Sequence, residues 1–128
     1  MALKSQYQVA VVNEDLVLNA SSVTFAASTT TSSILFCGGT SPGGVILPAS
    51  WLAGNLSFNV GKFPTGLVPM VNVDGTPFAV VTGAGAQWVP LQPVMFNGVI
   101  YIQAVSSVSQ PAMSVDFSLI PLFSGIKN

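Results

Sequence analysis

Charged side chains are scarce in this chain of 128 residues, and neither histidine nor arginine occurs. Only 5% of the residues are charged, whereas an ordinary soluble domain has about 25%. Release of counterions from nucleic acid requires several basic side chains on one surface. The lysines Lys4, Lys62 and Lys127 are far apart in sequence. We therefore expect no direct nucleic-acid binding.

The residues that build most active sites are missing as well. Without histidine, the single cysteine, Cys37, has no base to activate it, and it is expected to pack as a small hydrophobic side chain. Glu14 and Asp15 are adjacent in a turn, while Asp74 and Asp116 are isolated, so no acid–base pair or calcium site is predicted. We expect no enzyme activity, no cofactor, and no catalytic, cofactor-binding or metal-binding residues.

A disulfide framework and membrane association are not expected either. One cysteine cannot form an internal bridge, which fits synthesis inside a cell. Although 50% of the residues are hydrophobic, Ser, Thr, Gly, Asn or Pro interrupts every apolar run. None reaches the about 20 residues that a membrane-spanning helix needs. Glu14 and Asp15 also interrupt what would be the apolar part of a secretory signal.

The sequence does contain short β-patterns separated by turn residues, and the clearest is residues 45–60, VILPASWLAGNLSFNV. An apolar run ends at a proline, and Trp51 lies at the following turn. Leu56, Phe58 and Val60 then alternate with polar or small residues, which predicts a strand with one buried face.

Similar patterns predict the other strands. Residues 99–105 are apolar on both faces and are predicted to form a central strand that is covered on both sides. Asp74-Gly75 and Asn97-Gly98 are typical of two-residue hairpin turns. Prolines indicate edge strands or irregular segments at residues 67–73 and 87–93. The remaining predicted strands are residues 7–12, 16–18, 22–27, 34–37 and 113–123, and the strand at 34–37 is predicted to be short and buried. In the last strand, alternation predicts one face with Met113, Val115, Phe117 and Leu119 and an opposite face with Ser114, Asp116 and Ser118.

Two stretches of small polar residues are predicted to connect strands. Residues 28–33, STTTSS, have no apolar face, so we predict a loop or an exposed edge strand. Residues 38–44, GGTSPGG, could present backbone N–H groups to an anion, but the lysine and the helix of a phosphate-binding loop are missing. We predict a flexible connection there.

No segment has helical periodicity over three turns, and about eight or nine short strands follow one another at intervals of about 8–12 residues. The fold class is therefore predicted to be all-β: an antiparallel, jelly-roll-like β-sandwich of about eight strands. An immunoglobulin-like sandwich is the alternative, and the missing cysteine pair weakens it. We expect a single domain over residues 1–128, with residues 1–8 as an N-terminal arm that could pair with a neighbour.

A nearly uncharged protein surface opposes self-association poorly. The formal net charge of this chain is −1, so much of its surface is expected to be covered by partners. The alternative is a protein that stays soluble through its serines and threonines alone.

Residues 46–60, ILPASWLAGNLSFNV, resemble a segment of small structural proteins from the virions of tailed bacteriophages. The shared pattern is an apolar pair, Leu-Pro, a small residue, Trp, and then an alternating strand. Further features follow in the same order and extend the resemblance over residues 45–122. They are the turn Asp74-Gly75, the pattern Leu91, Pro93, Phe96 and Gly98, and residues 101–112 with their terminal Gln-Pro-Ala. Residues 61–69, GKFPTGLVP, replace an acidic turn of the family, and the strand near Tyr101 lacks its basic residues.

The resemblance implies a non-enzymatic virion protein that is made in the cytoplasm of the host bacterium. The first hypothesis is a capsid decoration (cement) protein, a homo-oligomer such as a trimer, which binds the major capsid protein and stabilises the head shell. Residues 1–8, 28–33 and 38–44 are its candidate contact surfaces. One alternative is a tail, neck or fibre component. Another is a carbohydrate-binding sandwich that uses Trp51, Trp88 or Tyr101 as a stacking platform, although such tryptophans more often belong to a core or an interface.

Overall fold

The computed structural model describes residues 21–122, most of which lie in β-strands. The elements are β1 (Ser22–Phe25), β2 (Thr29–Phe36), β3 (Thr40–Leu47), β4 (Gly54–Gly61), β5 (Val68–Pro69), β6 (Val80–Thr82), β7 (Gln87–Pro90), a 3-10 turn (Pro93–Phe96), β8 (Tyr101–Gln110) and β9 (Met113–Pro121). No α-helix occurs in this part of the chain. Nowhere in residues 21–122 is there a helix of the length and hydropathy that crossing a bilayer requires. The all-β prediction is confirmed.

The strands form one antiparallel sheet that folds into two layers. The strand order is β5-β4-β8-β2-β1-β9-β3-β7, and β6 also pairs with β4. We call β1, β9, β3 and β7 the β7 layer, and β2, β8, β4, β5 and β6 the β4 layer. A single register pair, Phe25 with Ser32, joins β1 to β2 where the layers meet. The rings of Phe58 and Phe117 lie 5.9 Å apart across the interior, so the two layers pack face to face as a sandwich.

The connections between strands identify the sandwich as a jelly roll. From β1 to β4, and again from β7 to β9, successive strands alternate between the two layers. The chain therefore wraps around the core, as in the double Greek key of jelly rolls. An immunoglobulin-like sandwich is wrong for this chain, because there the consecutive strands A–B, D–E and F–G share a sheet, whereas β1 to β4 and β7 to β9 alternate without exception.

The core is built from the inward faces of both layers. β3 ends at Leu47 and β4 begins at Gly54, and Leu56 and Phe58 are buried, as their alternation predicts. Alternation along β9 likewise buries Met113, Val115 and Phe117 and partly buries Leu119, which confirms the predicted inward face. The fully or nearly fully buried apolar side chains include Val23, Phe25, Val45, Leu47, Trp51, Leu56, Phe58, Phe96, Ile102, Val115 and Phe117.

A buried glutamine fixes the connection between β3 and β4. The side chain of Gln110, at the end of β8, is 1% exposed. Its Oε1 accepts a hydrogen bond from the backbone N–H of Leu52 (2.9 Å), and its Nε2 donates to the carbonyl of Leu52 (3.0 Å). The same Nε2 also donates to Oγ of Ser106 at 3.0 Å. Gln110 thus satisfies both backbone groups of one loop residue.

Proline lies in an edge strand of each layer of the sandwich. β5, which contains Pro69, and β7, which ends at Pro90, are the terminal strands of the sheet order. Because proline has no N–H to offer a further strand, it discourages edge-to-edge association. The two predicted edge segments are confirmed.

Several local predictions were wrong. Residues 28–33 belong mostly to β2, which lies between β8 and β1 rather than at an edge. Residues 40–44 are part of β3, so only Gly38 and Gly39 form a connection. Asn97-Gly98 does not close a hairpin, because β7 and β8 belong to different layers. β8 is central, as predicted, but Tyr101 and Val105 on its outer face are partly exposed rather than covered.

The turn at Asp74-Gly75 is present, although its flanks are short. The N–H of Gly75 donates to the carbonyl of Asn72 at 2.8 Å, and an isolated bridge pairs Val71 with Pro77. Gly75 has a φ of +88°, which glycine adopts without steric cost. The predicted strands at residues 7–12 and 16–18 and the arm at residues 1–8 lie outside the described residues.

Candidate binding surfaces

Ionisable groups are few and separate in the part of the chain that the structure describes. Among residues 21–122, His, Cys, Asp and Glu side chains form no cluster of three that could hold a metal ion. Asp74 accepts hydrogen bonds from Oγ1 (2.7 Å) and the backbone N–H (3.0 Å) of Thr76. These bonds, the side-chain one first, hold the pKa of Asp74 below its usual value. Asp74 is thus the predicted turn residue.

Cys37 is a core residue. It is 2% exposed, and its thiol lies 3.7 Å from the carbonyl of Val99. Burial raises the pKa of the Cys37 thiol to about 11, because a thiolate would lose its hydration there. At neutral pH the group is therefore a thiol, which is a poor nucleophile.

Because its pKa is raised by folding, Cys37 should make the folded protein less stable as the pH rises above neutrality. In the unfolded chain the thiol ionises near its ordinary pKa of 9.0, and in the folded chain near 11. Between these values the unfolded state binds fewer protons, so the free energy of unfolding decreases as pH rises, by about 3 kcal/mol in all. Urea unfolding at pH 7, 9 and 10.5 measures the slope. Cys37→Ala should lack this part of the decrease, and equal slopes for the two proteins would contradict the prediction.

The three aromatic platform candidates occupy different environments. Trp51 is 1% exposed; its Nε1 donates to Oγ1 of Thr82 at 2.8 Å, and its ring contacts Phe25 with centroids 5.8 Å apart. Trp51 is therefore a core residue, and its assignment as a stacking platform is wrong. Tyr101 is partly buried and packs edge-on against Phe36. Trp88, in contrast, is 53% exposed.

The outer face of the β4 layer combines apolar and uncharged polar side chains and carries no charge on its long strands. β2, β4 and β8 contain no charged residue. Ile34 and Phe36 of β2 are exposed, which corrects the prediction of a buried strand at residues 34–37. The rings of Phe36 and Tyr101 lie 5.5 Å apart.

Amide groups continue this face beside the aromatic pair. Nδ2 of Asn59 donates to Oε1 of Gln103 at 3.0 Å, and Nε2 of Gln103 donates to the carbonyl of Ser32 at 2.8 Å. The polar groups of the face therefore satisfy one another in part, and a partner would not need to supply a counter-charge. We call Ile34, Phe36, Tyr101 and Val105 the aromatic face.

The outer face of the β7 layer has a different composition. Register places Ser22, Asp116, Ile46 and Trp88 opposite one another on four adjacent strands. All four side chains are exposed. Asp116 is the only charged residue in any strand of residues 21–122. We call these four residues the Trp88 row.

Trp88 occupies a position that a glycine keeps open. The six-membered ring of its indole lies where a β-carbon of Gly44 would be, so that carbon would overlap with Cζ2 and Cη2. Beside the ring is a shallow depression of about 250 Å³. Its lining is Ser21, Ile46, Trp88, Asp116, Phe117 and Ser118.

Sequence reasoning identified Trp88 but missed Asp116 and Gly44 as its neighbours. Alternation along β9 indicated that Asp116 points away from the core, and this is confirmed. Its proximity to Trp88 depends on the pairing of β9 and β7 with β3, and no residue pattern specifies that register.

Compared with models of known protein families, with curated proteins and with solved structures, the chain gives no significant match.

Proposed function

We propose that this chain is a non-enzymatic structural protein of a bacteriophage virion, a decoration protein that binds and stabilises the assembled head shell. The aromatic face is the observation that carries the proposal. It exposes Phe36 by 57% on a layer whose long strands lack charge. Aromatic side chains surrounded by uncharged polar groups are typical of the centre of a protein–protein interface.

Two further properties support an assembly role. Jelly rolls are frequent among viral capsid proteins, although a fold does not by itself determine a function. The motif resemblance over residues 45–122 points to the same class of protein.

The mechanism is binding linkage. A protein that binds only the assembled shell lowers the free energy of that state by mass action. A homo-oligomer that contacts several subunits of the major capsid protein binds more tightly still, because each later contact forms at high effective concentration. The mechanism needs no bond-making step and therefore no catalytic group. It is compatible with a chain that has only three charged residues between positions 21 and 122, far apart in sequence.

Phe36→Asp provides a direct test of the aromatic face. The substitution places a charge where the apolar ring contacts the shell, so binding to shells that lack the protein should weaken by about 30-fold or more, which corresponds to about 2 kcal/mol. Co-sedimentation with shells measures the affinity. Ser114→Asp, on the exposed face of β9 in the other layer, is the matched control and should bind like the wild type.

Heating the particles separates decoration from other roles. Particles with bound protein should release their DNA at a higher temperature than depleted particles, and the Phe36→Asp protein should not restore the difference. Identical release temperatures would overturn the decoration mechanism. A protein that fails to bind shells but co-purifies with tails would instead be a tail, neck or fibre component.

A further inference from the structure

We propose that the Trp88 row is a binding site for a neutral sugar ring, with Trp88 as the stacking platform and Asp116 as the hydrogen-bond acceptor. The site lies on the β7 layer, opposite the aromatic face, so a ligand there would leave the proposed shell contact free. The inference does not depend on the proposed function, because it uses different residues on a different surface.

The platform is fixed in place by the backbone beneath it. Gly44 has no side chain, and the indole of Trp88 fills the vacant position, so one side of the ring rests on β3. The side chain is nevertheless 53% exposed, which leaves aromatic surface available to a ligand. Little conformational entropy is lost when a ligand stacks on a ring that is already held.

Hydrogen-bonding groups surround this platform. The carboxylate of Asp116 makes no hydrogen bond or ion pair within residues 21–122, and the indole N–H of Trp88 has no acceptor there. Asp116 and Trp88 both pair with Ile46, so their α-carbons are about 10 Å apart, twice the spacing of neighbouring strands. Ser118 adds a hydroxyl to the depression between them.

This arrangement matches the chemistry of a saccharide. A pyranose ring has an apolar face of C–H groups and a rim of hydroxyls. The C–H face can lie on the exposed face of the Trp88 ring, while hydroxyls at the rim of the sugar donate to Asp116. The apolar side chain of Ile46 lies between these two residues in the row, where the ring would sit.

Size and charge argue against other ligands. Among residues 21–122, the only charged side chain that lines the depression is the negative Asp116, which would repel phosphate and carboxylate groups. A depression of about 250 Å³ is smaller than the about 300–1,000 Å³ typical of sites that enclose a drug-sized molecule. A guanidinium group could also stack on Trp88 and pair with Asp116, so it is the competing ligand in the experiment.

The two indole N–H groups give the experiment an internal control. A glycan array first identifies any larger saccharides that the full chain binds. Proton NMR titrations of the full chain then use the methyl glycosides of glucose, galactose, mannose and N-acetylglucosamine as probes. The Trp88 N–H signal should shift with at least one sugar. The Trp51 N–H, bonded to Thr82 in the core, should not move.

Three variants test the assignment of roles. Trp88→Ala should reduce affinity at least about tenfold, and Asp116→Asn about threefold or more, because a charged acceptor is stronger than a neutral one. Gly44→Ala should displace the ring and weaken binding by a comparable factor while unfolding remains cooperative. Ser114→Ala, on the same layer outside the row, should bind normally.

Two outcomes would overturn the proposal. One is the absence of any array signal together with no shift of the Trp88 N–H in any sugar titration. The other is a shift with the methyl ester of N-acetylarginine and none with sugars, which would assign the row to a cationic side chain of a protein partner.

Discussion

Replacing Trp51 with alanine is expected to lower the free energy of unfolding by about 3–5 kcal/mol, a large share of the about 5–15 kcal/mol that holds a domain together. The ring is almost fully buried between the layers and contacts Phe25. Its loss leaves a cavity and removes the donor to Thr82, whose own hydroxyl donates to the carbonyl of Gly54. Urea unfolding followed by circular dichroism measures the change.

Trp88→Ala is the matched control, since it removes the same side chain from an exposed position. The Trp88 side chain is about half exposed in the folded state, so its removal should lower the free energy of unfolding by at most about 1 kcal/mol. Equal destabilisation by the two substitutions would mean that Trp51 does not anchor the core.

Gln110→Leu should destabilise the fold by about 2–4 kcal/mol although it adds an apolar side chain to the interior. Both backbone groups of Leu52 lose their partner, and Oγ of Ser106 loses a donor. The connection between β3 and β4 should become more mobile, which faster amide exchange at Leu52 would reveal. The free energy of unfolding comes from the same urea titration.

Gln103→Leu tests whether the loss of stability depends on burial of the glutamine or occurs for any glutamine that uses both ends of its amide. Gln103 lies on the same strand and also uses both ends of its amide, but it is partly exposed on the outer face. Water can replace its partners there, so the expected loss is below about 1 kcal/mol. If Gln103→Leu lowered the free energy of unfolding as much as Gln110→Leu, burial of the Gln110 amide would not explain the cost.

The sandwich was predictable where hydrophobic residues alternate. Leu56 and Phe58 on β4, and Val115 and Phe117 on β9, indicate both the strand and its buried face. Prolines correctly indicated the edge strands, because their missing N–H is a local property.

Residues 28–33 show where such patterns fail. Six hydroxyl residues have no apolar face, yet most of them lie in β2. Oγ of Ser32 accepts from the N–H of Ala104 (2.9 Å), and Oγ of Ser33 accepts from the N–H of Thr24 (3.0 Å). These hydroxyls substitute for backbone carbonyls where the register shifts between Thr31 and Ile34. Only the neighbouring strands reveal this use of a serine.

The failures at residues 38–44 and 97–98 also have tertiary causes. Gly43 and Gly44 lie in a strand that pairs with β7 and β9, and they are glycines because Ile120 and Trp88 occupy the space that their side chains would fill. Asn97-Gly98 follows a 3-10 turn on a path between two layers, and packed sheets are about 10 Å apart, too far for a hairpin. The Trp88 row was likewise unpredictable as a group, since it depends on the pairings of β3 with both of its neighbours.

β1 and β9, the first and last strands of residues 21–122, are neighbours in the sheet, and this affects how the protein folds during synthesis. Ser22 of β1 pairs with Asp116 of β9, so a ribosome must deliver every strand from β1 to β9 before this ladder can close. Until then the unpaired N–H and C=O groups of β1 remain open to other nascent chains, and such high contact order slows folding to milliseconds or longer. Crowded synthesis during a burst of production would therefore favour aggregation, and a low temperature or a chaperone should improve the yield.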